Sequence, residues 1–541
     1  MIATPADKFS RLSALKPARG AGAFPARNAE ARDAAGAAHG AEMREPCEED
    51  TLARLLGARV GRNRFGEHLA VRNWYSSPEF VAPSPVALDI LSRRRDERPA
   101  RRVREETPSQ RGNNQTQSRR IRDEARSRRA RNEAQQRARD ETRRAREALS
   151  DPAKWLFLDT ETTGLAGGTG TYAFLIGLAW WDAGGLQVEQ LFMRDFGEEH
   201  AILHELAARV AERPVLITYN GKTFDWPLLE SRFTMTRSIA APKLLAHLDL
   251  LHPARAVWKL RLGSVRLSDL ERHVLEPVAL GWSRDEDTTS ALIPQYYFDY
   301  LRGGPPEPLL GIAKHNQMDL RGLAALYCKL NALLGDETRA HGSVDGRDLF
   351  GLSRYLQRRG HGQRAEAACT QALDFGLPFE VRPQARRDLA QHAKRRGEHE
   401  RAAEIWQEMV SGEPGEIVHA CEQLAMHYER RLKDCARALE FARLALAELQ
   451  KAQRLATRMP AGHFAGAFAG AMTLQRGSLH GGRKQRDGSQ RDGLQGDSYQ
   501  GSGQRASRLE KDLRKRVARL ERRLLAEGRT PTLGLVPGLA P

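Results

Sequence analysis

The stretch WLFLDTETTG, residues 155–164, decides how the rest of the chain is interpreted. Its apolar run leads to Asp159, and a second carboxylate, Glu161, follows two positions later. Successive side chains of a strand point to opposite faces, so residues two apart point the same way. The pattern therefore predicts a strand whose end presents two carboxylates together, which repel each other unless a cation lies between them. Where all the ligands are oxygen atoms, that cation is usually a divalent metal ion.

Length and composition limit the class of protein. At 541 residues the chain is too long for one ordinary core, and two or three domains are expected. Hydrophobic residues make up 40% of it, and no apolar run is long enough to span a bilayer. The start of the chain lacks the apolar segment of a signal peptide, which predicts a cytoplasmic protein without membrane contact. The five cysteines include no CxxC pair, which argues against a zinc site or a disulfide framework and fits a reducing compartment.

The positive charge is concentrated in one stretch. The formal net charge is +17, and residues 91–150 contain 20 Arg against 10 Asp or Glu, which places +10 of it there. Two interpretations are open: a solvated charged spacer, or an arginine-rich arm that gathers nucleic acid without sequence specificity. The spacer is the simpler one, because almost no apolar side chains are present. Residues 121–149 can form a solvated helix with opposite charges three and four positions apart.

The part of the chain before residue 151 divides by composition into three segments. Residues 1–50 are rich in Ala, Gly, Arg and Glu without periodicity and are expected to form a disordered tail. Residues 51–91 predict a small β element, with two short strands and a brief apolar helix, that is too short for a core of its own. The Arg-rich charged linker then occupies residues 92–150.

Residues 151–335 predict a mixed α/β domain. The segments AFLIGLAWWD and LQVEQLFMRDF follow the opening strand as an antiparallel meander. Amphipathic helices then alternate with short buried strands, as in HAILHELAARVAER followed by VLITYN, and a long helix over about residues 311–334 closes the unit. A meander followed by alternating strands and helices indicates a mixed sheet with flanking helices.

Two further carboxylates in this domain strengthen the prediction of a cation site. They are needed because Asp-x-Glu alone is common at solvated strand ends. Asp225 lies in TYNGKTFDWPLL between a strand and a helix, where aspartate is also a common helix N-cap. Asp319 lies in AKHNQMDL inside the last helix, one turn after His315, so the imidazole and the carboxylate share a helix face. The simpler alternative for that pair is a His–Asp contact on the surface.

The ordered set DTETTG, NGKTFD and HNQMD resembles the three exonuclease motifs of the DEDD superfamily, which has a ribonuclease H-like fold. The chain more closely resembles the YprB-type ribonuclease H-like domain. The segments that carry this are DTETTGLAGGTGTYAFLIG, TYNGKTFDWPLL, LDLLHPARAVWK, IPQYYFDYLRGG and AKHNQMDL. The resemblance covers about residues 151–335, and the agreement of all these motifs in order is specific.

The resemblance implies a metal-dependent 3′→5′ exonuclease that hydrolyses phosphodiester bonds of single-stranded DNA or RNA. Two Mg²⁺ or Mn²⁺ ions would activate the water, stabilise the transition state and assist the leaving oxygen. By position in the motifs, Asp159 would bridge the two ions. Glu161 and Asp319 would hold the ion that carries the nucleophilic water, and Asp225 would act at the second ion. Hard divalent cations prefer carboxylate oxygen, so the residue types suit them.

His315 is the residue that the resemblance would make the general base, since an imidazole titrates near neutral pH. One feature departs from the family pattern. In the His-type branch of the superfamily the histidine stands five residues before the last aspartate, whereas His315 and Asp319 are four apart, the spacing of the Tyr-type branch. The alternative role for His315 is to orient Asp319 or to contact a phosphate.

Residues next to the acids are candidates for binding the terminal nucleotide. They lie in the segment after the first strand and in the segment before Asp225. The candidates are Thr162, Gly164, Leu165, Asn220, Lys222 and Phe224.

Residues 343–527 predict an all-α region with an internal repeat. LSRYLQRRGHGQRAEAACTQAL aligns with LAQHAKRRGEHERAAEIWQEMV, which places Gly360 over Gly397, and a third copy has Lys433 at that position. The repeat length is near that of tetratricopeptide (TPR) repeats, whose groove usually binds a protein partner. Residues 455–507 form a low-complexity insertion that is expected to be disordered. The basic amphipathic helix after it is expected to cap the array, and the alternative is that its basic face binds nucleic acid. Residues 528–541 are a tail.

Two other functions remain open from the sequence. One is a nucleic-acid-binding protein without catalysis that keeps the ribonuclease H-like fold. The other is an adaptor in which the TPR-like repeats carry the function. An intact set of four acids favours the enzyme over both.

Overall fold

The computed structural model describes residues 42–45, 50–92, 114–164, 170–284, 287–335, 345–412, 414–458 and 496–529. Several predictions from the sequence fall elsewhere. Leu165, most of the N-terminal tail, residues 459–495 of the insertion and residues 530–541 lie outside the described residues.

An eight-stranded mixed sheet is at the centre of the described residues. The strands are β1 Glu42–Arg44, β2 Arg59–Asn63, β3 Gly66–Tyr75, β4 Trp155–Thr162, β5 Ala173–Asp182, β6 Gly185–Phe192, β7 Val215–Thr218 and β8 Ala246–Asp249. Their order is β1-β2-β3-β6-β5-β4-β7-β8. The strands from β1 to β4 in this order are all antiparallel to their neighbours, and β7 and β8 extend the sheet parallel to β4. The predicted mixed sheet, a meander followed by strands that alternate with helices, is confirmed, and β4 lies between an antiparallel neighbour, β5, and a parallel one, β7.

The strands from residues 59–75 belong to the same sheet. β3 pairs with β6 from Leu69 opposite Phe192 to Tyr75 opposite Leu186. Strand β6 hydrogen bonds to β5 along its other edge, so β3 satisfies the backbone groups that would otherwise remain unpaired. The segment that the sequence presents as a small β element therefore contributes directly to the central sheet.

Helices cover both faces of the sheet. They are α1 Thr51–Leu56, α2 Pro85–Ser92, α3 Asn114–Ser150, α4 Glu199–Glu212, α5 Asp225–Thr236, α6 Leu251–Leu262, α7 Leu267–Leu270, α8 Ile293–Leu301 and α9 Glu307–Leu334. Alternate residues of β4 enter different cores: Trp155 and Phe157 pack with α2, α6 and the later part of α9, whereas Leu156 and Leu158 pack with α4, α5 and α8. This is the mixed sheet with flanking helices of a ribonuclease H-like fold.

Helix α3 contains residues 114–150 of the Arg-rich segment and is anchored by its last turn. Ala148 and Leu149 are buried in the core, and the indole of Trp155 donates to the carbonyl oxygen of Leu149 over 3.0 Å. The exposed ion pair between Lys243 and Glu141, at 2.7 Å, lies two turns earlier. The helix predicted for residues 121–149 is present and begins earlier, at Asn114.

The C-terminal region is helical. Its helices are α10 Gly346–Arg358, α11 Gly362–Asp374, α12 Arg382–Arg396, α13 His399–Val410, α14 Pro414–His427, α15 Cys435–Arg458 and α16 Gly496–Ala526. Helix α16 packs on α15 and buries Leu513, Leu520 and Leu524. It begins within the stretch 455–507, for which the sequence predicts disorder. No helix in the described part of the chain combines the length and the apolar character needed to cross a membrane.

Three equivalent positions of the repeat have the same backbone conformation. Gly360, Gly397 and Lys433 have φ values of 87°, 86° and 56°, in the left-handed region. Glycine adopts this conformation without strain, and Lys433 adopts it in spite of its side chain. The third copy has one residue more between Leu424 and Lys433 than the second copy has before Gly397. A π-helical turn over Tyr428–Leu432 accommodates it.

The small residues of the repeat lie where its helices meet. Ala365, Ala402 and Ala438 each stand five positions after the left-handed residue, and all three are fully buried. Because alanine lets two helix axes approach closely, the repeated spacing in the sequence corresponds to a repeated contact between helices.

The first helices after residue 345 share a core with the sheet domain. Leu352, Tyr355 and Leu356 of α10 belong to the same buried cluster as Val257 of α6. A Cβ on Gly351 would lie 2.4 Å from the carbonyl oxygen of Val257, so only glycine permits this approach. Helix α10 therefore packs directly against α6, and the two helices share one hydrophobic core.

Candidate functional site

Asp159 and Glu161 extend the face of β4 that begins with Trp155 and Phe157. The strand alternates, and all four side chains therefore point towards the core that contains the later part of α9. Asp159 is opposite Gly177 of β5, and Glu161 is opposite Leu175. A bulge follows Glu161, and it ends the regular pairing next to the acids.

Asp225 reaches the site from the opposite face of the sheet. It is the first residue of α5, and Phe224 occupies the N-cap position without a side-chain cap, so the N-cap alternative for Asp225 does not apply. Helix α5 packs on the face towards which Thr160 points, and the Thr160 hydroxyl donates to Asp225 Oδ1 over 2.6 Å. Burial raises the pKa of the Asp225 carboxyl, and the hydrogen bond from Thr160 acts against this shift.

His315 and Asp319 come from the middle of α9. Their side chains are only 11% and 19% exposed, which differs from the surface pair considered as the simpler alternative. His315 Nε2 lies 3.6 Å from Asp319 Oδ2, and Nδ1 lies 2.7 Å from Asp287 Oδ1. The imidazole is therefore held between two carboxylates, one on its own helix and one on the segment before α8.

The four predicted acids are close enough to interact electrostatically. Burial and then the charges of Asp319, Glu161 and Asp225 raise the pKa of the Asp159 carboxyl well above its usual range. Burial, together with Asp319 and Asp225, raises the pKa of Glu161 to about 8, although His315 acts in the opposite direction. Glu161, Asp225 and Asp319 thus make the ionisation of Asp159 less favourable, and Asp225 and Asp319 do the same for Glu161.

Asp159 is oriented by a row of residues that crosses the sheet. Asp159, Gly177 and Gln190 are in register on β4, β5 and β6, and Asn316 of α9 lies over the glycine. The Asn316 amide donates to Asp159 Oδ2 over 2.9 Å, and Gln190 donates to Asn316 Oδ1 over 2.9 Å. A Cβ at residue 177 would lie 2.2 Å from Asn316 Oδ1, so glycine is required for this contact.

A guanidinium supplies positive charge next to Asp319. Arg284 donates to Asp319 Oδ1 through Nη2, to Asp287 Oδ2 through Nη1 over 2.8 Å, and to both carboxylate oxygens of Glu271. Burial alone would raise the pKa of Asp287, and hydrogen bonds from His315 and Arg284 lower it below its usual range. Burial works against the protonated imidazole of His315, yet the hydrogen bond to Asp287 and the nearby carboxylates raise its pKa to about 9.

Asp249, at the end of β8, holds the loop that leads to Asp225. Its carboxylate accepts hydrogen bonds from the backbone amides of Asn220, Lys222 and Leu251 at 2.9, 3.2 and 3.0 Å. Asn220 has a left-handed backbone with a φ of 67°. The loop therefore has a defined shape next to the acids.

The remaining predicted binding residues flank the acids. Phe224 directly precedes Asp225, and 58% of its surface is exposed. Thr162 ends β4, and its hydroxyl donates to the carbonyl oxygen of Gly164 over 2.9 Å. Thr162 thus directly follows Glu161 at the end of β4, and Phe224 lies six residues after the end of β7.

The chemistry of these donors fits a divalent cation. The acids are oxygen ligands, buried and mutually repulsive, which are the conditions that a hard cation relieves. In the described part of the chain, no three His, Cys, Asp or Glu side chains already surround a point where a metal ion would be coordinated. Three of the acids instead accept hydrogen bonds from other side chains: Asp159 from Asn316, Asp225 from Thr160 and Asp319 from Arg284.

Comparison with known proteins agrees with the fold. The RNase_H_2 model, which describes the RNase_H superfamily, matches residues 156–331. The chain is also 31% identical over 295 residues to a protein of Bacillus subtilis (strain 168) described as "Uncharacterized protein YprB". This alignment covers 54% of the chain and 69% of that relative. The chain belongs to the YprB family. Its RNase H superfamily domain contains the four acids of β4, α5 and α9.

Several residues at the site of this YprB-family protein were not identified from the sequence. Gly177 and Asn316 belong to quoted motifs, and a glycine inside an apolar strand is a general sign of close backbone approach. Arg284 and Glu271 lie in polar segments that carry no comparable signal. Only the folded arrangement brings them beside Asp319.

Proposed function

We propose that this protein is a metal-dependent nuclease, a DEDD-type 3′→5′ exonuclease that hydrolyses phosphodiester bonds of single-stranded DNA or RNA. The observation that carries the proposal is electrostatic. Burial and acids from three separate segments raise the pKa of Asp159, so a cluster of carboxylates that outnumbers its positive partners, Arg284 and His315, is buried at the end of the central strand. The RNase H superfamily domain supports a nuclease.

The four acids are the proposed cation ligands. Asp159 would bridge two Mg²⁺ or Mn²⁺ ions, Glu161 and Asp319 would hold one of them, and Asp225 would hold the other. When bound, such ions supply an activated water, charge stabilisation at phosphorus and assistance to the leaving oxygen. The chain's own contribution is orientation, because Asn316 fixes the rotamer of Asp159 and Thr160 fixes that of Asp225.

The loop before α5 is the proposed contact for the terminal nucleotide. Asp249 fixes the backbone of Asn220 and Lys222, and Phe224 presents an exposed ring beside Asp225. Aromatic side chains stack on any base, so this contact suits a substrate selected by its backbone and end. Thr162, Gly164 and Leu165 would line the other side of the same nucleotide.

His315 has two possible tasks at the site. Its Nδ1 is engaged by Asp287, so Nε2 is the atom that can hold a proton beside Asp319. As the general base it would receive the proton of the attacking water at Nε2. As a positioning residue it would hold Asp319, and the carboxylate of Asp287 favours this second role by stabilising the protonated ring.

The helical region is proposed to bind a protein partner through TPR-like repeats. The support is the recurrence of a left-handed residue and a buried alanine at equal spacing in three helix pairs. The four cysteines that the structure describes, Cys328, Cys369, Cys421 and Cys435, are free thiols. They fit the proposed cytoplasmic location, where thiols stay reduced.

The deciding experiment uses the purified full chain and end-labelled oligonucleotides. Single- and double-stranded DNA and RNA are incubated with Mg²⁺, Mn²⁺ or a chelator, and products are separated by length. A ladder that shortens from the 3′ end only when the metal is present supports the proposal. The Asp159→Asn variant should abolish the ladder.

Two results would contradict the proposal. One is cleavage that persists in the Asp159→Asn variant, which indicates a contaminating nuclease. The other is binding of single strands by the wild-type protein without cleavage under every metal condition. That outcome would instead indicate a nucleic-acid-binding protein without catalysis.

A further inference from the structure

The guanidinium of Arg284 is enclosed by acidic side chains. Nε and Nη2 donate to the two oxygens of Glu271 at 2.5 and 2.8 Å, and Nη1 donates to Asp287 at 2.8 Å. The Arg284 side chain is 11% exposed, and that of Glu271 is 1% exposed. The fourth contact, from Nη2 to Asp319, points towards the acid cluster.

Glu271 is held by close contacts with Trp282 and Gly322. The indole of Trp282 donates to Glu271 Oε2 over 3.4 Å. On the other side, a Cβ on Gly322 would lie 2.0 Å from Glu271 Oε1, so α9 needs glycine at this point. Glu271 is therefore fixed, and its two-oxygen contact holds the guanidinium in place.

The charges around Arg284 do not cancel. The guanidinium faces the three carboxylates of Glu271, Asp287 and Asp319. Since an arginine side chain stays protonated at any ordinary pH, it supplies one positive charge against up to three negative ones. His315, which contacts Asp287 and lies beside Asp319, adds a second positive charge when protonated, and the neighbouring Asp159, Glu161 and Asp225 add further carboxylates that a bound cation can neutralise.

We propose that Arg284 is the internal counter-ion of Asp319, and that a divalent cation must compete with the guanidinium for this carboxylate. This inference rests on the proposed function, since it assumes that Asp319 is a cation ligand. When the cation binds, Asp319 transfers to it, and Arg284 keeps its contacts with Glu271 and Asp287. Arg284 then acts through Asp319: it keeps the carboxylate ordered before the cation arrives and lowers the affinity of the site.

The test measures Mn²⁺ affinity in the full chain from the electron paramagnetic resonance signal of the free ion, without substrate. The Arg284→Gln variant should bind Mn²⁺ about tenfold more tightly, because a charged hydrogen bond no longer has to be replaced. The control is Arg302→Gln. It removes the same charge from an exposed pair with Asp299 and should leave the affinity unchanged. Asp319→Asn should weaken binding.

The outcomes separate this inference from the proposed function. If the wild type binds Mn²⁺ and Arg284→Gln binds it equally or more weakly, Arg284 is not a competitor, and the inference is wrong. If no variant binds Mn²⁺, the proposed function fails, and the inference fails with it. Circular dichroism reports whether each variant is folded.

A second variant decides the matter if Arg284→Gln does not fold. Lysine keeps the charge but lacks the fork that contacts two acids at once. Arg284→Lys should therefore bind Mn²⁺ more tightly than the wild type does, by less than the tenfold expected for complete removal of the charge. An affinity equal to or weaker than that of the wild type would overturn the inference.

Discussion

The Nδ2 atom of Asn316 donates a hydrogen bond to Oδ2 of Asp159 over 2.9 Å. The orientation of the amide is fixed from its other end, because Gln190 donates to Oδ1 of the same side chain. Asn316 is fully buried, so it cannot exchange this contact for water. Asp159 therefore has one defined rotamer before any cation or substrate binds.

Replacement of Gly177 by alanine should disturb this contact directly. The added Cβ would lie 2.2 Å from Oδ1 of Asn316, and the buried amide has no room to move away. We expect a loss of about 1–3 kcal/mol in the free energy of unfolding, which is typical of an overpacked core. The cleavage rate should fall by more than the loss of folded protein accounts for, because Asp159 loses its hydrogen-bond partner. Urea unfolding and oligonucleotide cleavage measure the two effects.

The matched control for this variant is Gly170→Ala. Among the described residues, no atom lies within 4 Å of a Cβ built on Gly170, so the stability and activity of this variant should equal those of the wild type. If Gly177→Ala were as stable and active as the control, the contact of Asn316 with Asp159 would not matter for function.

The Asp159→Asn variant should be more stable than the wild type while losing activity. Burial and three neighbouring acids disfavour the charged carboxylate, and a neutral amide of the same shape avoids that cost. We expect a gain of about 1 kcal/mol in the free energy of unfolding at pH 7. Cleavage should be abolished, as in the ladder experiment, because the variant loses a proposed ligand of both ions. The control, Asp182→Asn at the exposed end of β5, should change neither quantity; a less stable Asp159→Asn variant would contradict the prediction.

The Phe224→Ala variant should weaken binding of single-stranded substrate about tenfold. Base stacking on an aromatic ring contributes about 1–3 kcal/mol, and it is similar for all four bases. Fluorescence anisotropy with homopolymeric oligonucleotides measures the dissociation constant, and Phe224→Trp should restore it. Phe375→Ala removes another exposed ring, in the helical region, and should have no effect. Equal binding by Phe224→Ala and the wild type would exclude the stacking role.

Stability should fall in mild acid in part because of His247. Burial and the charge of Lys222 lower the pKa of this imidazole to about 4. Its pKa in the unfolded chain is about 6.5, so between these two values only the unfolded chain binds the proton. The contribution is thus present above about pH 6.5 and is lost as the pH falls towards 4.

The His247→Gln variant isolates this effect. Between pH 7 and pH 4.5, the wild type should lose about 2–3 kcal/mol more than the variant in the free energy of unfolding. The exposed His252 on α6 provides the control, since His252→Gln should follow the wild type. Parallel curves for the wild type and His247→Gln would show that this imidazole does not titrate on unfolding.

The sequence predicts those parts of the site that depend on local pattern. Asp159 and Glu161 follow from strand alternation, and His315 and Asp319 follow from helical spacing. The mixed sheet follows from the order of apolar segments. Asp225 could not be separated from an N-cap, because the distinction depends on whether the helix begins at Asp225, with Phe224 as the N-cap, or at Trp226, with Asp225 as the N-cap.

The remaining features depend on register between distant segments. Gly177 and Gln190 meet Asn316 only because β4, β5 and β6 align as they do. Arg284 contacts Asp319 only because the carboxylate of Glu271 accepts hydrogen bonds from the same guanidinium and fixes its position. No local pattern in the chain encodes these long-range alignments.

The close contact of Gly351 with the backbone of Val257 connects the repeats mechanically to the site. Helix α6 begins two residues after Asp249, whose carboxylate fixes the amides of Asn220 and Lys222. A displacement of α10 would therefore be passed along α6 to the loop beside the acids. A protein docked on the distant helices could in this way alter turnover without approaching the reaction centre, and slower or faster hydrogen exchange at those two amides would record it.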